Sequence, residues 1–159
     1  MRYVLSCIMV FVLAAASFAG QNNDGTNARK EKCPVCGMLV SLFPDWNAKV
    51  VFADSTQANI GGPKDMFKYY RNMKKYNPAQ SSDSVKAITV KDYVSKEDID
   101  AFKAFYVIWS DVYGPMGHEP IPFENEADAK KFLSEHKGRQ ILSFKDITSE
   151  VIWSLDNPE

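Results

Sequence analysis

The chain has 159 residues, with 19 Lys and Arg against 20 Asp and Glu and a hydrophobic share of 45%. That length and apolar content fit one domain with a real core. The near-balanced charge argues against a nucleic-acid partner, which would call for a basic patch. No nucleophile–base pair, general base or phosphate-cradling loop reads out of the residues, so neither catalysis nor a small-molecule substrate is expected.

The first stretch is a leader. Arg2 is a minimal positive region, and residues 3–19 are almost wholly apolar and carry no charge. Ser17-Phe18-Ala19 places small residues at −3 and −1, so residues 1–19 read as a secretory signal peptide cleaved after Ala19. The competing reading is an uncleaved membrane anchor, because the apolar run is near the minimum for a span. Cys7 follows a weakly lipobox-like Val4-Leu5-Ser6, but it stands at the start of the apolar run where a lipidated cysteine should follow it; lipid anchoring is not expected. Cleavage removes one basic residue and no acidic one, leaving a slightly acidic chain. Residues 20–32 are polar, lack apolar periodicity and are expected to be a flexible tether.

The body, residues 33–155, divides into two halves, about 33–76 and 104–145. After Cys33-Pro34-Val35-Cys36-Gly37-Met38, Leu39 to Phe43 is expected to form a short strand and Trp46 to Asp54 a better one, with Val50 and Phe52 on one face and Val51 on the other. Pro63 and Asp65 open a helix whose Met66, Tyr69, Tyr70 and Met73 recur at helical spacing. Residues 77–84 are a polar connection, and residues 85–94 alternate as a strand. Residues 95–98 suggest a turn or a short helical start. Ala104 to Ser110 is a nearly continuous apolar run, which predicts a central strand buried on both faces. Pro120 and Pro122 predict a short or edge strand over residues 119–123. Asn125 caps a helix closed by Gly138, with Ala129, Phe132, Leu133 and His136 as its buried stripe. A strand over 139–144 follows, and residues 147–155 form a last element of unassigned type. The order predicts an α+β fold of two similar ββα-type modules. In it Val51-Phe52-Ala53-Asp54 matches Ile121-Pro122-Phe123-Glu124, and Cys36 and Met116 sit on equivalent turns that face one another.

Cys33 and Cys36 are the only cysteines outside the leader, and two cysteines at this spacing can clamp a metal, form a disulfide or do redox chemistry. An exported protein favours the disulfide, but a bridge over two residues gains little loop entropy. A thioredoxin-like site wants the pair at a helix N-terminus, whereas Gly37-Met38-Leu39-Val40 reads as turn then strand. Structural zinc wants four ligands, and no second cysteine pair exists. Tyr113-Gly114-Pro115-Met116-Gly117-His118-Glu119 offers a thioether and an imidazole in turn chemistry, on the same side if extended. Met116 alone would be core filler and His118 alone a hydrogen-bonded residue; together with a thiolate they make a soft donor set that favours Cu(I). Met38 is either core or a further sulfur donor. His136 reads as structural, near a helix C-terminus. Trp109 and Tyr113 flank the second stretch and read mainly as packing residues. The alternatives left open are a periplasmic thiol-disulfide protein using Cys33 and Cys36, and a zinc-stabilised binding module.

With Cys-Pro-Val-Cys-Gly-Met early in an exported chain and Asp111-Val112-Tyr113-Gly114-Pro115-Met116-Gly117-His118-Glu119 near the middle, followed by Pro122-Phe123, residues 32–155 resemble the NosL family of nitrous oxide reductase accessory proteins. The resemblance implies a periplasmic chaperone that binds one Cu(I) per chain and helps assemble the catalytic copper-sulfur centre of the reductase, with the assembly machinery at the membrane as its partner. It implies a fold related to the organomercurial lyases. It also implies Cys36, Met116 and His118 as copper ligands, with Cys33 as a further candidate; Met38 stays a candidate on its residue type alone.

Overall fold

The computed structural model describes residues 31–158. The expected leader, and the expected tether up to residue 30, lie outside the described residues. Glu31 and Lys32 are tied to the domain: Lys32 bridges Leu39, and the carbonyl of Glu31 accepts the Val40 N–H.

The first half is built on β1 (Ala48–Phe52), which lies between β2 (Gln57–Ile60) and β3 (Val85–Lys91), with β4 (Asp98–Asp100) at the far edge. All pairings are antiparallel, and Ala48 faces Ile60 on one side and Val90 on the other. The alternation anticipated for β1 is present: Ala48, Val50 and Phe52 are buried, while Lys49 and Val51 are only partly covered. Helix α1 (Pro63–Arg71) lies between β2 and β3 in the chain and packs against β1 and β2; a further turn, α2 (Met73–Tyr76), extends it. Met66, Phe67, Tyr69 and Met73 enter the core, whereas Tyr70 is half-buried.

The second half repeats the plan. β5 (Phe105–Ile108) lies between β8 (Ile121–Phe123) and β9 (Gln140–Ser143), and α3 (Glu126–Glu135) lies between β8 and β9 in the chain. The Asn125 side chain caps α3 by accepting the Asp128 N–H at 2.9 Å. β5 is buried on both faces, as its unbroken apolar run requires: Tyr106 and Ile108 join the larger core of the first half, and Val107 joins a second core with Ile121, Phe123, Ala129 and Phe132. Between β5 and β8 stands a small hairpin, β6 (Tyr113–Gly114) and β7 (Gly117–His118). Residues 147–155 resolve into α4 (Ser149–Asp156), capped by Thr148 and packed on α1 and β7. Among the described residues no helix is long and apolar enough to cross a membrane.

The α+β fold with two similar modules is present, but the first module is read one strand too early in the sequence. Leu39 to Phe43 is not a strand: residues Val40–Leu42 form a 3-10 turn, closed by Leu42 N–H to the Leu39 carbonyl and Phe43 N–H to the Val40 carbonyl, and Pro44 follows. Two strands of this sheet are missed: β2, whose Gln57-Ala58-Asn59-Ile60 carries too little apolar character to announce itself, and β4, which starts at the end of the stretch read as a turn or a short helical start. β1 therefore corresponds to β5, and β2 to β8. Val51-Phe52-Ala53-Asp54 ends a first strand, while Ile121-Pro122-Phe123-Glu124 is a second one. The cysteine turn precedes its module's first strand and the Met116 hairpin follows its own, so Cys36 and Met116 are not on equivalent turns.

Candidate metal centre

The cysteine turn is held by its own backbone. The Cys33 N–H donates to the Met38 carbonyl at 2.8 Å, and the Gly37 N–H to the Cys33 carbonyl at 2.9 Å. Gly37 has φ +75°, a left-handed conformation that suits glycine. Both thiols are free. Cys33 is buried and donates its Sγ–H to Asp65 Oδ2 at 3.5 Å; Cys36 is half-exposed. The two sulfurs and the Asp65 carboxylate all lie within 4.8 Å of one another. Asp65 is fully buried, and its Oδ1 has no hydrogen-bond partner. Burial, followed by the hydrogen bond with Asp65, pushes the Cys36 thiol up to about 12, against the backbone N–H of Met38, which pulls it down.

The second stretch folds back on itself at Gly117, where φ is +83°, and pairs Tyr113 with His118. The His118 ring lies between Trp109 and Tyr113, with centroids 4.9 and 4.7 Å away, so these two aromatics do flank the site as well as pack. The Arg139 guanidinium covers the same Trp109 ring at 4.9 Å. His118 Nδ1 is buried without a hydrogen-bond partner. Met116 is half-buried and, with His118, Tyr113, Lys64, Leu155 and Asp156, lines a cleft of about 310 Å³.

Both stretches meet the first turn of α1. Asp65 faces the cysteines. Its neighbour Lys64 is nearly fully buried; its Nζ donates to the Met116 carbonyl at 2.5 Å and pairs with Asp156 at 3.0 Å. The buried Glu119 carboxylate accepts the Lys64 backbone N–H at 2.7 Å and the Met116 N–H at 3.1 Å. The structure thus assembles Cys33, Cys36 and Asp65 into one cluster, and Met116 and His118 into a neighbouring one on the same helical turn. His118 does not belong to the 4.8 Å group. Met38 is half-buried, and its carbonyl closes the cysteine turn. His136 pairs with Asp111 at 3.1 Å and stacks on Phe132 at 4.4 Å, in the structural part expected of it. Asp65 and Glu119 are the functional candidates that sequence reasoning missed. Asp65 carries the signal of an ordinary first-turn helix acid, and Glu119 is marked only by standing next to His118.

A family model, NosL, matches residues 26–152. The copper-binding lipoprotein NosL of Stutzerimonas stutzeri is 27% identical over 140 residues, covering 77% of this chain; the chain spans 64% of that relative's length. The crystal structure of the copper chaperone NosL from Shewanella denitrificans matches with a TM-score of 0.66 at 23% identity, covering 77% of this chain and 92% of that one, which supports the fold. The solution structure of apo-NosL from Achromobacter cycloclastes matches with a TM-score of 0.47 at 26% identity, over 69% and 87% of the two chains. Since the family model spans the cysteine turn, both modules and the Met116–His118 hairpin, the chain belongs to the NosL family.

Proposed function

We propose that this chain is an exported, periplasmic copper chaperone that holds one Cu(I) in a low-coordinate site through Cys36, Met116 and His118, with Cys33 and Met38 as the other sulfur candidates. It delivers the ion for assembly of the catalytic copper-sulfur centre of nitrous oxide reductase, in concert with the assembly machinery at the membrane. Family membership and the copper-binding relative support the cargo. The observation that carries the ligand set is the His118 Nδ1, buried and unpartnered on a hairpin pinned to the same helical turn as the cysteine cluster. A buried nitrogen left unpaired costs about 1–3 kcal/mol, and a metal ion relieves that cost. Thiolate, thioether and imidazole suit Cu(I). Three ligands or fewer leave room for an incoming donor, so transfer proceeds by ligand exchange without free copper.

The test is metal analysis of the chain purified under reducing, anaerobic conditions. One copper per chain is expected. No metal would favour a thiol-disulfide protein, and one zinc with no capacity for copper would favour a zinc-stabilised module.

A further inference from the structure

We propose that Lys64 is the positioning residue for the Met116 and His118 donors, and that Asp156, at the end of α4, holds its ammonium in place. The benefit to copper rests on the copper reading; the geometry does not.

The Met116–His118 hairpin cannot hold itself. β6 and β7 pair over two residues each, Tyr113 with His118 and Gly114 with Gly117. An isolated two-stranded hairpin is marginal in water even when longer. The His118 ring has no anchor at its buried Nδ1, which lacks a hydrogen-bond partner. Its place is set by the Trp109 and Tyr113 rings on either side and by the backbone that carries it. That backbone turns at Gly117, between the two donors, and the peptide entering the turn carries the Met116 carbonyl. A group that fixes this carbonyl fixes how the chain leaves Met116 and arrives at His118.

Lys64 is that group. Its Nζ donates to the Met116 carbonyl at 2.5 Å and lies 3.0 Å from Asp156 Oδ1. The side chain is 2% exposed, and a lysine is almost never so buried unless paired. Stability alone does not call for it, because an apolar side chain of similar volume often serves as well as a buried ion pair. What the apolar side chain lacks is an N–H aimed at one carbonyl. Lys68, one turn on, is the internal control. It binds the same Asp156 carboxylate, 2.8 Å from Oδ2, and so ties α1 to α4 as Lys64 does. Among the described residues its Nζ bonds go to Asp156 alone and do not reach the hairpin.

The experiment compares the reduced full chain with Lys64→Met and Lys68→Met by anaerobic Cu(I) chelator competition. Alongside it, NMR reads the His118 ring protons of the metal-free proteins, assigned with His118→Ala; their shifts report the neighbouring Trp109 and Tyr113 rings. Lys64→Met should lose about tenfold or more in Cu(I) affinity and move the His118 signals, while Lys68→Met stays within about threefold of the parent and leaves them in place. Removing a positive charge beside the site by itself favours a cation, so a loss in Lys64→Met reports lost geometry. Unmoved His118 signals or parental Cu(I) affinity in Lys64→Met, or an equal effect in Lys68→Met, would overturn the proposal. If Lys64→Met fails to fold, Asp156→Ala decides: it frees the Lys64 ammonium, so the His118 signals should move, and unmoved signals refute the role. Failure of the copper reading shows separately, as no Cu(I) uptake by the parent, and the metal-free His118 signals then still decide whether Lys64 positions the hairpin.

Discussion

Glu119 caps the first turn of α1: its buried carboxylate accepts the backbone N–H of Lys64, the helix's second residue, at 2.7 Å, across 55 residues of chain. The same carboxylate takes the Met116 N–H, so one side chain fixes the Met116–His118 hairpin to the first turn of α1. Burial is the dominant influence on its acidity and pushes the carboxyl from 4.5 up to about 7, although the two N–H donors and Lys64 pull it down; nearby Asp65 adds to the rise. A carboxyl whose folded pKa is raised stabilises the fold fully below its unfolded pKa and loses that contribution as pH rises through the folded value. The Glu119 contribution therefore falls between about pH 4.5 and 7, by on the order of 3 kcal/mol. Glu119→Gln should unfold at a lower temperature overall, because an amide cannot accept both N–H groups, yet lose this part of the pH slope. Thermal unfolding of the metal-free protein across pH 4.5–8 checks it; parallel profiles for the two proteins would contradict it.

Cu(I) binding to Cys36 should strengthen with pH. The thiol is held up at about 12, so copper must displace a proton throughout the neutral range. The apparent affinity then rises about tenfold per pH unit for each thiolate formed. Chelator competition between pH 5 and 9 reads this dependence. Cys36→Ser should abolish tight binding and Cys33→Ser should weaken it less; equal losses would point to a symmetric dithiolate site.

Met116→Leu should fold with a melting temperature close to the parent's. The hairpin is anchored through the Met116 backbone, by its N–H on Glu119 and its carbonyl on Lys64, while the side chain lines the cleft. Leucine keeps the volume and apolarity but removes the sulfur. The variant should bind Cu(I) more weakly and release it faster in stopped-flow chelator transfer. Unchanged transfer with a large drop in apo stability would make Met116 a packing residue.

Gly114 has no space for a side chain. A methyl there would stand 2.5 Å from Glu119 Cγ and 2.9 Å from the Trp46 ring. Gly114→Ala should cost about 1–3 kcal/mol and displace the hairpin, so its copper affinity falls together with its denaturant midpoint. A stable variant with parental copper affinity would contradict this.

The parts of the fold that depend on local pattern were legible. β1, α1, β5 and α3 each announce themselves by alternation, helical spacing, an unbroken apolar run or a cap, and each lies where expected. β2 was not legible, because Gln57-Ala58-Asn59-Ile60 owes its strand to pairing with β1 rather than to its own residues. Leu39 to Phe43 misled in the other direction: apolar content suggested a strand, but Pro44 and the short connection leave room only for a 3-10 turn. Those two misreadings together shifted the repeat and set Cys36 and Met116 on equivalent turns. In the candidate site, Cys33, Cys36, Met116 and His118 stood out by residue type and flanking glycines. Asp65, 32 residues from Cys33, could not stand out, since its meeting with the cysteines is made by the packing of α1.

The central claim is that the cysteine turn and the Met116–His118 hairpin share one ion. Copper X-ray absorption on the reduced full chain loaded with one equivalent of Cu(I) tests it most directly. The account predicts a low-coordinate ion with sulfur and a single imidazole in its shell, the imidazole signature vanishing in His118→Ala. An all-sulfur shell unchanged by that substitution would contradict it.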